Sequence, residues 1–325
     1  MKTLFSGIQP TGDMHIGNYF GAIKNWTKIQ YDYKTFISIV DLHSITIPYD
    51  PKLLPERVIE LGLILFSCGI DFDKTNLFIQ SEVPGHADLA WIFNTVTPLG
   101  ELERMTQFKD KAKQHRKNVS VGLLAYPVLQ AADILLYKGD VVPVGEDQVQ
   151  HVEFTREVAR HFNAKFGETF PECKALLTKT PRIMGIDGES KMSKSKNNTI
   201  GLLEEKDSIW KKLSGAKTDP ARIRRTDPGN PEICNIFSYH KLVTDNEEQN
   251  EIRKGCTTAG IGCVDCKKKL LCNLMKVLDP ICEKYNSYSS RRNEVRDKLT
   301  ENAEKCRVIA EQTIKETKEK MGMIC

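Results

Sequence analysis

The chain has 325 residues, 40% of them apolar and 28% charged, and Lys plus Arg (47) exceed Asp plus Glu (43) by only +4. This composition excludes a disordered chain and a histone-like polycation, and at roughly 150 residues per domain the length predicts about two domains. No apolar run approaches the ~18 residues of a membrane span, and the N-terminus lacks the apolar region of a secretory signal. We therefore expect a cytoplasmic protein whose ten cysteines are reduced thiols or metal ligands.

Strand and helix patterns alternate along the chain as far as Arg182. The strand patterns lie at Thr3–Ile8, Thr35–Val40, Leu77–Ile79 and Val141–Val144, and the helical patterns lie at 19–29, 55–68, 89–95, 127–137 and 149–162. A continuous β-branched run such as Thr35–Val40 is typical of a strand that is buried on both faces of a parallel sheet. The alternation predicts an α/β fold with a doubly wound, Rossmann-like parallel sheet.

The character of the chain changes after Arg182, because residues 206–325 carry almost no strand signal and many charges. In the last helical pattern, residues at spacings of three or four form one apolar face: Val295, Leu299, Ala303, Cys306, Ile309, Ala310 and Thr313. The sequence therefore predicts a Rossmann-like domain at 1–187, a loop at 188–196, a mostly helical domain at 197–290, and a C-terminal helix at 291–325 that packs back on the first domain.

The first predicted strand ends in a loop, Gln9–Asn18, that contains Gly12 and Gly17 and leads into a helix. At the carboxyl edge of a parallel sheet, backbone N–H groups and the helix dipole favour an anion, and glycines permit close approach of a ligand. The loop matches neither GxxxxGK[ST] nor GxGxxG. By itself it is either an anion site or an ordinary strand–helix turn.

A second element, Gly188–Lys196, places three lysines within six residues among hydroxyl side chains. Such a cationic loop suits a polyphosphate, and the alternative is a solvated lysine-rich linker. The two elements together, His15–Asn18 as a HIGH-like motif and Lys191–Ser195 as KMSKS, resemble the class I aminoacyl-tRNA synthetases. One departure is visible, because Asn18 stands where the HIGH pattern has its second His, as is common in the family described next.

Five further segments resemble bacterial tryptophanyl-tRNA synthetases, and the resemblance covers nearly the whole chain. The segments are Ser6–Gly12, Asp41–Thr46, Gly100–Gln107, Gln130–Tyr137 and Val142–Gln148. The resemblance implies that tryptophan is activated by ATP to tryptophanyl-AMP plus pyrophosphate and is then transferred to tRNA(Trp). Little proton transfer is needed, so catalysis would rest on positioning and charge stabilisation, with Mg²⁺ on the phosphates.

The resemblance also implies site residues. Catalytic roles fall on Lys191, Lys194 and His15. ATP binding falls on Gln9, Pro10, Thr11, Gly17, Asn18, Gly145, Glu146, Asp147, Ile183, Lys191, Met192, Ser193, Lys194 and Ser195.

Asp133 is the most informative single residue, because it lies in an otherwise apolar helical pattern, where a buried carboxylate is costly unless paired. One possibility is that Asp133 faces solvent or caps a neighbouring turn. The other is that its carboxylate is unpaired in the free protein and accepts the indole N–H of tryptophan, which is a donor only. Phenylalanine has no such donor, so the second arrangement would discriminate strongly. Candidates for the rest of the pocket, each of which could instead be ordinary core, are Phe5, Gly7, His43, Tyr126, Gln130, Val142, Val144 and Gln148.

Three other functions remain open at this point. Tyrosyl-tRNA synthetases use a comparable Gln-Ala-x-Asp helix, although the segments Gln9–Gly12 and Pro143–Gln148 favour tryptophan. The chain could also be a HIGH-bearing nucleotidyl transferase that does not use tRNA, or an inactive paralogue that binds tRNA or transfers electrons. The KMSKS loop and the helical C-terminal part argue against the transferase, and retention of Asp133, Lys191 and Lys194 argues against the inactive paralogue.

Four cysteines, Cys234, Cys256, Cys263 and Cys266, are separated by 21, 6 and 2 residues. A CxxC pair presents two thiolates to one metal, and four cysteines suit zinc or a 4Fe-4S cluster equally well by ligand count. Unrelated thiols are the third possibility. A subset of bacterial tryptophanyl-tRNA synthetases resembles this sequence here, and that resemblance implies a 4Fe-4S cluster with zinc as the alternative.

Basic stretches occur at Arg104–Lys117, Lys206–Arg225 and Lys267–Lys269. Each is either a solvated helix face or a surface for tRNA phosphates, whose binding would weaken as salt rises. The family resemblance assigns tRNA anticodon binding to the range 197–290 and implies a homodimer.

Overall fold

The computed structural model describes residues 1–10, 12–109, 119–177 and 183–324, without the side chains of Asp147 and Ser195. The chain forms two units. Unit 1 comprises Met1–Gly12, Trp26–Lys179 and Arg291–Cys325, and unit 2 comprises Asp13–Asn25 and Thr180–Ser290. The segment Asp13–Asn25 thus groups with unit 2, although the sequence assigned it to the range 1–187.

The α-helices used below are, in chain order, α1 (Ile16–Asn18), α2 (Lys24–Ile29), α3 (Asp41–Ser44), α4 (Leu54–Ser67), α5 (Gly85–Asn94), α6 (Leu99–Arg104), α7 (Val121–Leu135), α8 (Val149–Phe166), α9 (Lys206–Gly215), α10 (Asn235–Val243), α11 (Asn246–Thr257), α12 (Cys263–Ser289) and α13 (Arg292–Lys320). A π-helical segment, Tyr19–Ile23, joins α1 to α2.

Unit 1 contains a parallel sheet of five strands in the order β3-β2-β1-β4-β5. The strands are β1 (Thr3–Ile8), β2 (Lys34–Ile39), β3 (Thr75–Ile79), β4 (Val141–Val144) and β5 (Lys174–Leu177). Phe5 lies opposite Phe36 across β1 and β2, and Leu4 lies opposite Val141 across β1 and β4. The predicted α/β fold with a doubly wound parallel sheet is confirmed. The sequence missed β5, which has only partly buried or exposed residues at the sheet edge and therefore no strong apolar pattern.

The central strands explain the continuous apolar run in the sequence. Five of the six residues of β2 are buried, and Phe36, Ile37 and Ile39 are at most 1% exposed. Burying such a side chain stabilises the fold by about 1.5–3 kcal/mol. Only a strand that is covered on both faces gains this free energy from side chains on both of its sides.

The strand order reverses between β1 and β4, because β2 and β3 continue to one side of β1 whereas β4 and β5 lie on the other. Ligands of doubly wound folds bind at the carboxyl ends of the strands at such a reversal. Gln9 follows β1 and Gly145 follows β4, so the fold places these two residues at the edge where a ligand is expected.

Helix α13 packs within unit 1 on β3, α4 and α5. Leu299 is fully buried, and its Cδ1 atom would lie 2.9 Å from a Cβ atom added at Gly62. The Asn302 amide donates to the Leu77 carbonyl at 3.2 Å, which fixes the helix to the sheet. Most of the predicted apolar face is buried, and Ile309 is only half-buried.

Helix α7 is longer than the sequence predicted. It begins at Val121, where the Ser120 hydroxyl accepts from the Leu123 N–H, and not at Pro127, which lies inside the helix. The sequence pattern missed the first two turns because Pro127 reads as a helix start. Asp133 consequently lies in the last turn of a long buried helix, whereas the predicted helix, 127–137, had it near the middle.

Unit 2 is mostly helical, and α12 packs on α9 and α10. Backbone hydrogen bonds tie its N-terminal segment to the rest of the unit: the Ile16 N–H donates to the Ile200 carbonyl at 3.0 Å, and the Leu202 N–H donates to the Met14 carbonyl at 2.8 Å. Within the described ranges, no helix combines the length and the apolar character that crossing a membrane requires.

Candidate active site

Asp133 lies at the centre of a buried hydrogen-bond network in unit 1. Its Oδ1 atom accepts from Gln80 Nε2 at 2.6 Å and from His86 Nδ1 at 2.6 Å, and its Oδ2 atom accepts from His43 Nε2 at 2.8 Å. Asp133 is 1% exposed, and the three donors come from α3, from the turn after β3, and from α5. Four segments of the chain therefore converge on one carboxylate.

The expectation that Asp133 waits unmatched is wrong. Burial by itself raises the pKa of this carboxyl, but the hydrogen bonds and charges of His43 and His86 outweigh it, so its pKa lies below the ordinary value. The carboxylate is thus ionised and already solvated by protein donors before any ligand is present. The three protein donors therefore offset the free-energy cost of burying the charge, and no ligand is needed for this.

The other predicted pocket residues surround this network unevenly. The His43 and Tyr126 rings meet edge to face at 6.3 Å, and the Tyr126 hydroxyl lies 3.0 Å from His151 Nε2. Burial raises the pKa of Tyr126 to about 12. Phe5, Val142 and Val144 belong to the hydrophobic core of unit 1, whereas Gln130 and Gln148 are half-buried and Gly7 is exposed.

Three residues of the network were not predicted from the sequence. Gln80 and His86 contact Asp133, and Tyr137 contacts His86. Gln80 directly follows the carboxyl end of β3, and His86 lies at the start of the next helix, α5. The sequence did contain a signal for Gln80, namely its position directly after a parallel strand. Gln9 and Gly145, which follow β1 and β4 in the same way, were selected.

The predicted nucleotide residues of unit 1 lie in the loops after β1 and β4. Pro10 is buried, Gln9 is half-buried, and Gly145 and Glu146 are exposed at the start of a short 3₁₀ turn. Thr11 and the side chain of Asp147 lie outside the described residues. The two loops belong to neighbouring strands, so this part of the predicted set converges on one sheet edge.

The remaining nucleotide residues belong to unit 2. The Asn18 carboxamide oxygen accepts from the His15 N–H at 3.1 Å, so Asn18 closes the first turn of α1. A Cβ atom at Gly17 would lie 2.7 Å from His15 Nδ1 and 3.4 Å from Met192 Sδ. This clash explains the glycine, since the ring of His15 and the side chain of Met192 leave no room for a side chain between them.

His15 faces two lysines of the KMSKS loop. Burial, then the charges of Lys194 and Lys191, lower the pKa of His15 to about 4, so the ring is neutral near pH 7. In the described part of the chain, the buried Nδ1 atom of His15 has no hydrogen-bond partner. Lys194 itself is partly exposed and pairs with Asp13 at 3.4 Å.

A buried amide organises the KMSKS loop. Asn198 is 2% exposed, and its Oδ1 atom accepts from the Ser193 N–H at 2.8 Å while its Nδ2 atom donates to Asp187 at 2.9 Å and to Ser190 at 3.0 Å. A Cβ atom at Gly185 would lie 2.1 Å from Asn198 Nδ2, so only glycine fits beside it.

Two backbone contacts complete the loop. The Met192 N–H donates to the Ile183 carbonyl at 3.0 Å, and the Gly185 N–H donates to the Ser190 carbonyl at 2.7 Å. Ile183 and Met192 are buried while Lys191 and Lys194 are exposed, and the side chain of Ser195 is not described. The loop therefore has an apolar inner side and a cationic outer side.

The four predicted metal ligands converge in unit 2. Cys234 precedes α10, Cys256 lies near the end of α11, and Cys263 and Cys266 open α12. Burial, then the other three thiols, raise the pKa of Cys266 to about 12, so the other three lie near Cys266. No three His, Cys, Asp or Glu side chains within the described ranges already have the arrangement of a metal-ion site.

Two further side chains approach the thiols. Arg222 Nη1 donates to Cys256 Sγ at 3.8 Å, and His240 Nε2 lies 3.4 Å from Cys266 Sγ. A Cβ atom at Gly229 would lie 2.7 Å from Cys256 Sγ. The donor set, four thiols with a cation beside one of them, fits a thiolate-bound metal centre by its chemistry.

The basic stretches are described only in part. Lys111, Lys113, Arg116 and Lys117 lie outside the described residues. Lys267 is buried and donates to the carbonyls of Ser214 and Ala216 at 2.8 and 2.7 Å, whereas Lys268 is exposed. The run Lys267–Lys269 is therefore not a uniform cationic face.

Comparison with known proteins identifies the family. The model of the family described as tRNA synthetases class I (W and Y) matches residues 1–279. The chain belongs to this family, a class of enzymes that is consistent with the parallel sheet, the HIGH-like turn and the KMSKS loop described above.

Within the family, similar full-length relatives include tryptophan–tRNA ligases. The protein of Deinococcus radiodurans is 52% identical over 329 residues, covering 100% of this chain and 99% of that protein, and the protein of Thermotoga maritima is 43% identical over 326 residues, covering 99% of each. The crystal structure of the Campylobacter jejuni tryptophanyl-tRNA synthetase complexed with ADP and tryptophan has a TM-score of 0.90 at 36% identity, covering 99% of this chain and 100% of that one.

Proposed function

We propose that Asp133 selects the amino acid in this tryptophan–tRNA ligase by accepting the indole N–H. The observation that carries the proposal is the buried, ionised carboxylate with three protein donors, which cannot bind a fourth group unless that group is also a donor. An amino acid without a donor at this position would bury a polar group against apolar surface. The buried Tyr126 and His43 rings and the apolar Phe5, Val142 and Val144 supply a lining that suits an aromatic ring.

The reaction needs little proton transfer. The tryptophan carboxylate attacks the α-phosphorus of ATP, the bond to the pyrophosphate oxygen breaks, and tryptophanyl-AMP plus pyrophosphate result; the tRNA ribose hydroxyl then displaces AMP. Charge grows on the leaving pyrophosphate, so cations that act on its oxygens stabilise the transition state. Lys191 and Lys194 supply such charge, with Mg²⁺ on the phosphates, and neutral His15 adds a hydrogen-bonding group without further charge.

The ATP set in unit 1 is proposed as Gln9, Pro10, Thr11, Gly145, Glu146 and Asp147. The set in unit 2 is proposed as His15, Gly17, Asn18, Ile183, Lys191, Met192, Ser193, Lys194 and Ser195. The strand reversal between β1 and β4 supports the first set, and the cationic outer side of a loop held by Asn198 supports the second. Asn18 and Ile183 contribute by fixing the backbone of other members of the set. The Asn18 side chain accepts from the His15 N–H, and the Ile183 carbonyl accepts from the Met192 N–H.

The amino-acid-dependent exchange of pyrophosphate into ATP tests the function directly. With all twenty amino acids supplied singly, we expect exchange with tryptophan alone. Exchange with tyrosine alone would make the specificity wrong, and exchange without any amino acid would indicate a nucleotidyl transferase. An inactive paralogue would show no exchange but would still bind tRNA.

We further propose that Cys234, Cys256, Cys263 and Cys266 hold a 4Fe-4S cluster. Their convergence from three segments of unit 2 and the Arg222 guanidinium beside Cys256 support this. A cluster with four thiolates carries negative charge, which a nearby cation stabilises. Zinc is the alternative for the same ligands.

Metal analysis after anaerobic purification distinguishes these centres. We expect a brown protein with four iron atoms per chain, and loss of iron and colour in Cys266→Ser. The matched control is Cys272→Ser, because Cys272 is exposed and lies on the same helix, α12. Stoichiometric zinc in a colourless protein would replace the iron proposal, and absence of both metals would end it.

The remaining partners are tRNA(Trp) and a second copy of the chain, in the cytoplasm. The exposed cations of the stretch Lys206–Arg225 and exposed Lys268 in unit 2 supply charge for tRNA phosphates within the proposed anticodon-binding range 197–290. Arg222 is buried beside Cys256 and is not among these cations. Exposed Trp91, Leu99 and Val121 in unit 1 suit a protein interface. We expect affinity for tRNA(Trp) to fall as salt rises, and a dimer mass in sedimentation. A salt-independent affinity or a monomer at micromolar concentration would contradict these two proposals.

A further inference from the structure

The donors around Asp133 do not divide evenly between its two oxygens. Gln80 Nε2 and His86 Nδ1 both approach Oδ1 at 2.6 Å, whereas His43 Nε2 alone approaches Oδ2, at 2.8 Å. A carboxylate has about four acceptor positions, two on each oxygen. Oδ1 is therefore filled, and one position remains on Oδ2.

We propose that His86 is a positioning residue which, together with Gln80, fills Oδ1 of Asp133 and so leaves Oδ2 as the acceptor of the indole N–H. This inference rests on the proposed function of Asp133 and adds the group that aims its carboxylate. Two donors on one oxygen fix the rotation of the carboxylate plane, which a single donor would leave free. With the plane fixed, the free lone pair of Oδ2 points in one direction, and the indole N–H has to approach from that direction.

The orientation of His86 is itself determined by its surroundings. Because a carboxylate only accepts, Nδ1 of His86 carries a proton, and Nε2 on the other side of the ring lies 2.9 Å from the Tyr137 hydroxyl. The two contacts, one on each nitrogen, therefore hold the Nδ1–H of His86 towards Asp133.

Packing prevents His86 from taking another orientation. The residue is fully buried, and its ring lies 5.7 Å from the Phe78 ring and 5.5 Å from the Tyr137 ring. A flipped ring would direct a carbon atom at Asp133 and leave a buried carboxylate lone pair unsatisfied. The network is consistent with the lowered pKa of Asp133, since a charged acceptor makes the stronger hydrogen bond.

The test compares tryptophan with 3-benzothienyl-L-alanine, an analogue of the same shape that has sulfur in place of the indole N–H. In full-length enzyme, His86→Phe keeps an aromatic ring and removes both nitrogens, and His86→Asn keeps a donor at the Nδ1 position. His161→Phe is the matched control, because His161 is a partly exposed histidine of unit 1 that pairs with Glu101 at 3.0 Å outside the network.

We expect His86→Phe to raise KM for tryptophan in pyrophosphate exchange by about 30-fold, the loss of one hydrogen bond to a charged group. The values of kcat, KM for ATP and KM for the analogue should change less than about threefold. His86→Asn should recover tryptophan KM to within about threefold of the parent, and His161→Phe should match the parent. Tyr137→Phe, which removes one oxygen, should raise tryptophan KM by about fivefold and keeps the test open if His86→Phe does not fold.

Equal losses for tryptophan and the analogue would overturn the proposal, because they would indicate a general packing defect. Failure of His86→Asn to recover tryptophan binding in folded protein would do the same. Asp133→Asn distinguishes failure of the indole contact from failure of the positioning role. If it leaves the preference for tryptophan over the analogue intact, the proposed indole contact fails; if it removes the preference while His86→Phe does not, only the positioning role fails.

Discussion

The Asp133 network of unit 1 and the KMSKS loop of unit 2 use charge in opposite ways. Asp133 is buried, and three side chains from three other segments hold it. Lys191 and Lys194 are exposed, and Lys194 has one long ion pair with Asp13. The first arrangement is preorganised before the ligand binds, whereas the second leaves its cations available for phosphate oxygens.

The difference indicates a division of labour. Selecting an aromatic ring by one N–H group requires a fixed acceptor in a dry site, where an unsatisfied group is costly. Stabilising the charge of a leaving pyrophosphate requires cations that reach it during the reaction. We therefore expect variants of the network to affect amino-acid binding and folding, and variants of the loop to affect the chemical step with little change in stability.

The largest effect is expected for Asp133→Ala. It removes the acceptor and leaves His43, His86 and Gln80 without their common partner, so kcat/KM for tryptophan should fall about 1000-fold while KM for ATP changes less than about threefold. Steady-state pyrophosphate exchange with varied tryptophan measures this. A variant that still distinguishes tryptophan from phenylalanine as sharply as the parent would refute the role of Asp133.

The next largest effect is expected for Lys194→Ala, which should lower kcat of exchange about 100-fold by removing charge from the transition state. The melting temperature should stay within about 2 °C, because the exposed ion pair with Asp13 contributes little to stability. Lys196→Ala is the matched control, since Lys196 is an exposed lysine of the same loop outside the proposed set. If both variants lose activity equally, loop charge in general and not Lys194 is responsible.

A smaller effect is expected for Gly185→Ala, whose added Cβ atom would lie 2.1 Å from Asn198 Nδ2. Displacing Asn198 shifts the backbone at Ser193, so kcat should fall about tenfold with tryptophan KM nearly unchanged. Gly215→Ala is the control, because an added Cβ atom there meets nothing within 4 Å. A rise in tryptophan KM without a change in kcat would contradict the division between the two regions.

The smallest effect concerns the protonation of His15, whose pKa is lowered to about 4 by burial and by Lys194 and Lys191. The unfolded chain binds this proton more readily, so His15 destabilises the fold as pH falls from about 6.5 to about 4 and has no such effect above that range. NMR titration of the imidazole should show this pKa, and Lys194→Ala should raise it without reaching 6.5. A titration near 6.5 in the parent protein would show that the lysines do not face His15.

Sequence patterns were sufficient for short apolar runs with clear ends. Thr3–Ile8 and Val141–Val144 were predicted with the bounds that the structure has, because each run leads directly into a loop that contains glycine. β5 was missed because an edge strand has few buried residues and therefore no strong apolar pattern. The first turns of α7 were missed because the internal Pro127 has the pattern of a helix start. Of the candidate site, Asp133 and the two motifs were found from residue type and spacing.

The sequence by itself determined the family, the fold class and the presence of a carboxylate in an apolar helix, since these depend on local pattern and motif. Only the tertiary structure decided that the carboxylate is paired, and by which residues. Gln80 and His86 are separated from Asp133 by 53 and 47 positions. Donors that meet across a parallel sheet have no common sequence period, so their partnership exists only where folding brings the strand ends together.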